Sequence, residues 1–165
     1  MSCPSWKLFS TVPASDYRCQ RILIAAKLSG VKLAHQPGVQ QSVLTSFLPH
    51  AKTVVLHDET TKRSITQSNA ILRMIAQLNP AAELYGRDDF QSAQVDQWLE
   101  FAWNEVEVPA AVCLFPARGL LEKDDAAAAM AKQDLLTSLG HVLENHLAER
   151  TFLVGQRPSL ADVGL

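Results

Sequence analysis

Polar residues suited to binding a carboxylate stand where a predicted strand gives way to a predicted helix. Gln67 and Ser68 occupy this junction. The start of a helix offers free backbone amides and the positive end of its dipole, so a carboxylate would be held there. The Ser68 hydroxyl adds a donor, and Gln67 could bond a neighbouring amino group. Ser68 could instead only cap the helix, and the spacing alone favours that plainer role.

A second cluster of polar side chains follows the first predicted strand, just before another helix. Its members are Ser10, Thr11, Ser15, Asp16 and Tyr17. A hydroxyl beside the N-terminus of a helix is placed to stabilise a bound thiolate. Cys19 falls about one turn into that helix and is expected to face the core or the side. No Cys-x-x-Cys pair is present, which argues against dithiol redox chemistry.

Composition excludes several other classes of protein. Of the 165 residues, 47% are hydrophobic and 19% charged, which is enough to build a core and excludes a disordered tail. No apolar run approaches the roughly 20 residues of a membrane span. The cysteines and histidines show no metal-binding spacing, and no glycine-rich phosphate loop appears, so no metal site is predicted. Trp98, Phe101 and Trp103 are expected to pack against the core and not to stack on bases, so no direct nucleic-acid binding is predicted. Three unpaired cysteines suit a reducing cytoplasm.

The order of elements over residues 1–80 predicts a thioredoxin-like domain. Strands are expected at 7–10, 31–36, 53–57 and 63–66, with helices at 17–29 and from 68, and only weak helix character over 40–48. A parallel βαβ unit, an irregular connection and a ββα unit give the thioredoxin order. Asn79-Pro80 ends this domain.

Residues 81–165 show no strand signal and are predicted to form an all-helical domain. A helix begins near Asp88, and Pro109 is expected to distort or end it. A later helix carries an apolar stripe that runs from Leu135 to Leu147 in steps of three and four. Ser159 to Asp162 forms a capping box, yet the chain stops at Leu165. Because one turn cannot stand alone, the sequence is expected to be truncated in this domain.

The net charge also differs between these two parts of the chain. Residues 1–80 carry nine Lys/Arg and three Asp/Glu, net +6, whereas residues 81–165 carry six and fourteen, net −8. The two halves are therefore expected either to complement each other or to give the basic half an affinity for anions.

This combination of an α+β thioredoxin-like half, an all-α half and Gln67-Ser68 at the last strand–helix junction resembles the glutathione S-transferase fold. Within that superfamily it is most similar to the gamma subunit of the eukaryotic translation elongation factor 1 complex. The segments that carry the likeness are Ile24–Ala26 with Ser29-Gly30, Gln67–Ile71, Val95–Trp98 with Phe101-Ala102, Phe115-Pro116 with Gly119, and Arg150–Gly155.

The resemblance implies a cytoplasmic structural subunit that anchors the guanine-nucleotide exchange subunit, and a homodimer. It requires no cofactor, although glutathione or a related thiol is a possible ligand. The same likeness allows a thiol S-transferase acting on small electrophiles, or an assembly domain of an aminoacyl-tRNA synthetase. It assigns thiol binding to Thr53, Val54, Gln67 and Ser68. Spacing favours Ser15 over Ser10 and Tyr17 as the catalytic hydroxyl, because Ser15 lies nearest the helix start.

One residue departs from the family pattern. The family carries a cis-proline before the third strand, and Val54 stands at that position. A cis bond before a residue other than proline costs about 3 kcal/mol. A trans bond or a local rearrangement is therefore predicted between Thr53 and Val54.

Overall fold

A computed structural model describes residues 6–165. They divide into two compact units, the first ending at Tyr85 and the second beginning at Gly86. None of the helices in this part of the chain is long and apolar enough to cross a bilayer.

The first unit contains a mixed four-stranded sheet in the order β2-β1-β3-β4. Its strands are β1 (Trp6–Ser10), β2 (Leu33–Pro37), β3 (Val54–Asp58) and β4 (Ser64–Thr66). β1 runs parallel to β2 and antiparallel to β3, and β3 runs antiparallel to β4. The mixed sheet predicted from the βαβ and ββα order is confirmed.

Three helices accompany this sheet: α1 (Tyr17–Leu28), α2 (Gln41–Phe47) and α3 (Ser68–Leu78). α1 packs against α3. The weak pattern over 40–48 forms a short helix, with Leu44 buried against Ala51 and Val55. Gly30 ends the α1 segment at φ +67°, a left-handed conformation that favours glycine.

Strand β3 forms the centre of the core, because all five of its residues are buried. Its register places Val54 opposite Ser10 and Leu56 opposite Leu8. The C-terminal end of β1 and the N-terminal end of β3 therefore lie side by side. Both predicted clusters of the thiol site depend on this edge of the sheet.

The second unit is built from helices. They are α4 (Asp89–Phe101), α5 (Val108–Leu114), α6 (Asp125–Thr137), α7 (Glu144–Leu147) and α8 (Leu160–Gly164). α5 packs against α6, and α8 packs against α4. Short 3₁₀ turns lie at Pro80–Ala82, in the first unit, and at Pro116–Arg118.

Pro109 distorts the first long helix as predicted. A π-helical segment, Ala102–Glu107, joins α4 to α5, and Pro109 is the second residue of α5. Proline has no amide hydrogen to donate and its ring crowds the preceding turn, so the helix widens there instead of continuing regularly.

The apolar stripe predicted from Leu135 to Leu147 is not a buried face. Leu136, Leu139 and Val142 are exposed in the structure. A second π-helical segment, Ser138–Leu143, interrupts the regular helix between α6 and α7. The extra residue in such a turn rotates the following side chains by about 100°, so a spacing of three and four no longer marks a single face.

The predicted capping box is present at the start of α8. The Asp162 carboxylate accepts hydrogen bonds from the Ser159 amide at 2.8 Å, the Ser159 hydroxyl at 2.9 Å and the Leu153 amide at 2.8 Å. The Ser159 hydroxyl oxygen accepts from the Ala161 amide. Asp162 thus ties the preceding loop to the helix, which buries Leu160 and Ala161.

Replacing Asp162 with alanine should lower the free energy of unfolding by about 2 kcal/mol, because three donors lose a charged acceptor. Urea unfolding followed by circular dichroism measures the loss. Asp125→Ala is the matched control: this first-turn aspartate is exposed and pairs only with exposed Lys123, so its loss should be about 0.5 kcal/mol or less. Equal losses for the two variants would contradict the role assigned to Asp162.

Candidate functional site

The hydroxyl that ends β1 is enclosed by protein. Ser10 is fully buried, its hydroxyl donates to the Val12 carbonyl at 2.9 Å, and its oxygen lies 3.0 Å from Nε2 of His35. Burial lowers the pKa of His35, so the ring stays neutral near pH 7. The Ser10 hydroxyl therefore stabilises the turn that follows β1 and cannot reach a ligand in solvent.

The predicted catalytic residue, Ser15, lies in the exposed turn that precedes α1. The N-cap of α1 is its neighbour Asp16, whose carboxylate accepts from the Arg18 amide at 3.0 Å. Asp16 also pairs with the Arg18 guanidinium. In the described part of the chain no hydrogen bond joins Ser15 to Thr53, Gln67 or Ser68.

Cys19 is buried inside α1, as its position predicts. Burial raises the pKa of its thiol, and the side-chain interaction with Ser10 offsets only part of that effect. A buried thiol held in its neutral form is a poor nucleophile. Cys19 is therefore a packing residue of the core.

The Thr53–Val54 peptide bond is trans, as predicted, since residues 6–165 contain no cis bond. The Thr53 carbonyl accepts from the Thr11 amide at 3.0 Å, and the Thr11 hydroxyl donates to the Lys52 carbonyl at 3.1 Å. The Thr66 hydroxyl donates to the Val54 carbonyl at 2.6 Å. The Thr11 amide and the Thr53 and Val54 carbonyls are therefore already bonded within the chain.

The backbone of Gln67, which lies between β4 and α3, is strained. Its φ of +73° and ψ of +118° lie in a region that side chains rarely adopt. Gln67 is exposed and takes the N-cap position of α3 without a side-chain capping bond. Such conformations cost roughly 1–3 kcal/mol and cluster at ligand sites.

Ser68 does not cap α3, contrary to the plainer prediction. It is the first helical residue, and its hydroxyl accepts a hydrogen bond from the guanidinium of Arg21. Arg21 is only 5% exposed, and the ring of Tyr17 lies 5.4 Å from its central carbon. A buried cation therefore stands beside the N-terminus of α3.

Arg21 is the residue that sequence reasoning missed. It is buried in α1 beside Ile22 and Ala25, which are also buried. A charged residue within an apolar helical face is the signal that could have found it. Together, Arg21, Ser68 and the helix dipole form a site whose electrostatics suit a carboxylate.

Solved structures with the same fold are glutathione transferases and proteins like them. Glutathione transferase F2 from Populus trichocarpa superimposes with a TM-score of 0.81 at 21% identity, covering 96% of this chain and 78% of its own. Ure2p in complex with glutathione gives a TM-score of 0.82 at 20% identity, covering 99% and 79%. The chain has a glutathione S-transferase-like fold with a thioredoxin-type α/β part.

Sequence comparison is more specific. Elongation factor 1-gamma of Artemia salina is 34% identical over 155 residues, which is 90% of this chain and 34% of that protein. Elongation factor 1-gamma-B of Xenopus laevis is 34% identical over 159 residues, 91% of this chain and 35% of that protein. The chain is related to elongation factor 1-gamma. No protein-family model matches it.

The chain spans about a third of the length of the elongation factor 1-gamma proteins that it matches. It covers nearly four fifths of the two solved structures. The shared part is thus the size of the transferase-like fold, and most of each elongation factor 1-gamma relative lies outside the alignment.

Replacing Gln67 with glycine should raise the free energy of unfolding by about 1 kcal/mol, because relief of backbone strain exceeds the entropy that glycine adds to the unfolded chain. Chemical denaturation measures the change. Gln20→Gly, at an exposed position within α1, is the control and should lose about 1 kcal/mol. A similar loss at both positions would show that Gln67 is not strained.

Proposed function

We propose that this domain is a structural, anchoring part of the translation elongation factor 1 complex in the cytoplasm. It holds the guanine-nucleotide exchange subunit, which recycles the factor that delivers aminoacyl-tRNA. Similarity to elongation factor 1-gamma over about 90% of the chain supports this role. Anchoring needs a stable surface and no reaction chemistry, and therefore no cofactor.

One observation carries the preference for a scaffold over an enzyme. The Thr53 carbonyl is bonded to the Thr11 amide, and the Ser68 hydroxyl is bonded to Arg21. These are the groups that would pair with the backbone and the carboxylate of a thiol peptide. A ligand would have to share both groups with these internal bonds, using the second lone pair of the Thr53 carbonyl and the proton of the Ser68 hydroxyl.

The two parts of the chain are assigned different roles in this proposal. Residues 1–80 act as a thioredoxin-like domain, and residues 81–165 as the helical domain of a transferase-type fold. Their net charges of +6 and −8 suit a two-fold homodimer in which each basic half meets the partner's acidic half. Such a dimer would present two copies of the anchoring surface.

A thiol S-transferase is the second candidate function. The strained backbone of Gln67 favours it, because such strain is typical of a ligand site. In this reading Thr53, Val54, Gln67 and Ser68 bind glutathione or a related thiol, and Ser15 stabilises the thiolate. An assembly domain of an aminoacyl-tRNA synthetase complex shares the fold and is the third candidate.

Co-purification tests the anchoring role. The 165-residue chain should form a complex with the purified exchange subunit that survives size-exclusion chromatography at micromolar concentration. It should pass through immobilised glutathione and show no turnover of an aryl halide. Failure to bind the exchange subunit, by this chain and by a longer form of the protein, would contradict the proposal.

The same assay distinguishes a transferase from an anchoring domain. Specific elution by free glutathione, with turnover that falls in Ser15→Ala but not in Ser46→Ala, would support the transferase instead. Ser46 is the matched control because it is also an exposed serine but lies in α2 and belongs to neither polar cluster.

A further inference from the structure

The turn that joins β3 to β4 carries two adjacent cationic side chains, Lys62 and Arg63. Both are exposed, as are Thr60 and Thr61 before them. Among residues 6–165, neither cation forms an ion pair with a carboxylate. We call residues 60–63 the basic turn, and its positive charge is available to a partner.

Hydrogen bonds to Asp58 fix the shape of this turn. The Asp58 carboxylate, in a residue only 3% exposed, accepts from the Thr60 amide at 2.9 Å and the Thr61 hydroxyl at 2.6 Å. The Lys62 amide donates to the Asp58 carbonyl at 2.8 Å, and the Asp58 amide donates to the Arg63 carbonyl at 2.9 Å. Because the turn is already ordered, binding a partner there loses little backbone freedom.

Lys62 occupies a backbone conformation that favours glycine. Its φ of +58° lies in the left-handed region, where a Cβ atom is crowded by the backbone and glycine is not. Strained positions of this kind cluster at functional sites. A lysine there serves the fold less well than glycine would, which points to a role for its charge outside the fold.

The acidic residues of the first 80 positions do not neutralise the basic turn from outside. There are three of them. Asp58 is bonded within the turn, Glu59 pairs with Lys7 at 2.6 Å, and Asp16 pairs with Arg18 at 3.0 Å. Further exposed cations of the first unit add long-range attraction for an anionic partner: Lys27, Lys32 and Lys52.

The composition of the turn favours carboxylates over nucleic acid. Single-stranded nucleic acids bind where aromatic side chains stack on bases beside the cations. The basic turn has two threonines and no aromatic residue. The exposed aromatic side chains of the described residues are Tyr17, Phe90 and Trp103, all in other elements. Arginine pairs with a carboxylate through two N–H groups, and lysine acts as a point charge beside it.

We propose that the basic turn docks an acidic segment of the exchange subunit. Adjacent Asp or Glu side chains of that segment pair with the Arg63 guanidinium and the Lys62 ammonium. This docking site rests on the anchoring function proposed above, to which it adds a surface and the chemistry of the partner.

Calorimetric titration of the 165-residue chain with the purified exchange subunit tests the site. The double variant Lys62→Glu/Arg63→Glu should bind about tenfold more weakly or worse, because two attractions become repulsions. The matched control is Arg118→Glu/Lys132→Glu, which makes the same change in net charge at two exposed cations of the second unit and should bind within about threefold of the wild type. At an ionic strength of about 1 M, where the screening length is about 3 Å, most of the difference should disappear.

A second variant separates binding from folding. Lys62→Gly removes the charge and the strain together, so its melting temperature should not fall, since glycine adopts φ +58° freely. Its affinity for the exchange subunit should nevertheless fall about threefold. Weaker binding by a variant that is no less stable cannot be attributed to misfolding.

The outcomes distinguish this site from the anchoring function. If the wild-type chain binds the exchange subunit and the double variant binds it equally well, the docking site is wrong and the anchoring function stands. If the wild-type chain does not bind at all, both are wrong. Binding of tRNA that is lost in the double variant, with binding of the exchange subunit unchanged, would assign the turn to nucleic acid and also overturn the site.

Discussion

The hydrogen bond from the Thr11 amide to the Thr53 carbonyl is the constraint on which the character of this domain depends. It extends the pairing of β1 with β3 by one step beyond Ser10 and Val54. A trans peptide before Val54 is compatible with this extension, and no proline is present to favour the cis form. The Thr11 amide and the Thr53 carbonyl at this edge are therefore already bonded to each other.

A second internal bond acts at the other end of the same surface. Arg21 is buried in α1 and donates to Ser68 at the N-terminus of α3. A buried guanidinium needs such partners, because leaving its donors unpaired costs more than the bonds contribute when they are made. The Ser68 hydroxyl oxygen at the helix start thus serves as an acceptor for an internal cation. In both bonds, a group that could bind a ligand takes part in a hydrogen bond within the protein.

The sequence predicts the order of helices and strands well because that order depends on the types and spacing of neighbouring residues. Val54 to Asp58 forms a buried strand as its β-branched run indicates, and Ser159 with Asp162 forms the capping box. Contacts between residues that lie far apart in the sequence cannot be predicted from such patterns. Arg21 reaches Ser68 across 47 positions, which removes the capping role expected of that serine. The leucine spacing after Leu135 assumes a regular helix, and the π-helical segment breaks that assumption.

Hydrogen exchange at the Thr11 amide tests the central claim most directly. The claim is that this amide is bonded to the Thr53 carbonyl and not available to a ligand. Measured by NMR, the Thr11 amide should exchange as slowly as amides inside the β1–β3 ladder, and millimolar glutathione should leave that rate unchanged. Fast exchange in the free protein, slowed when glutathione is added, would show an open site and contradict the account.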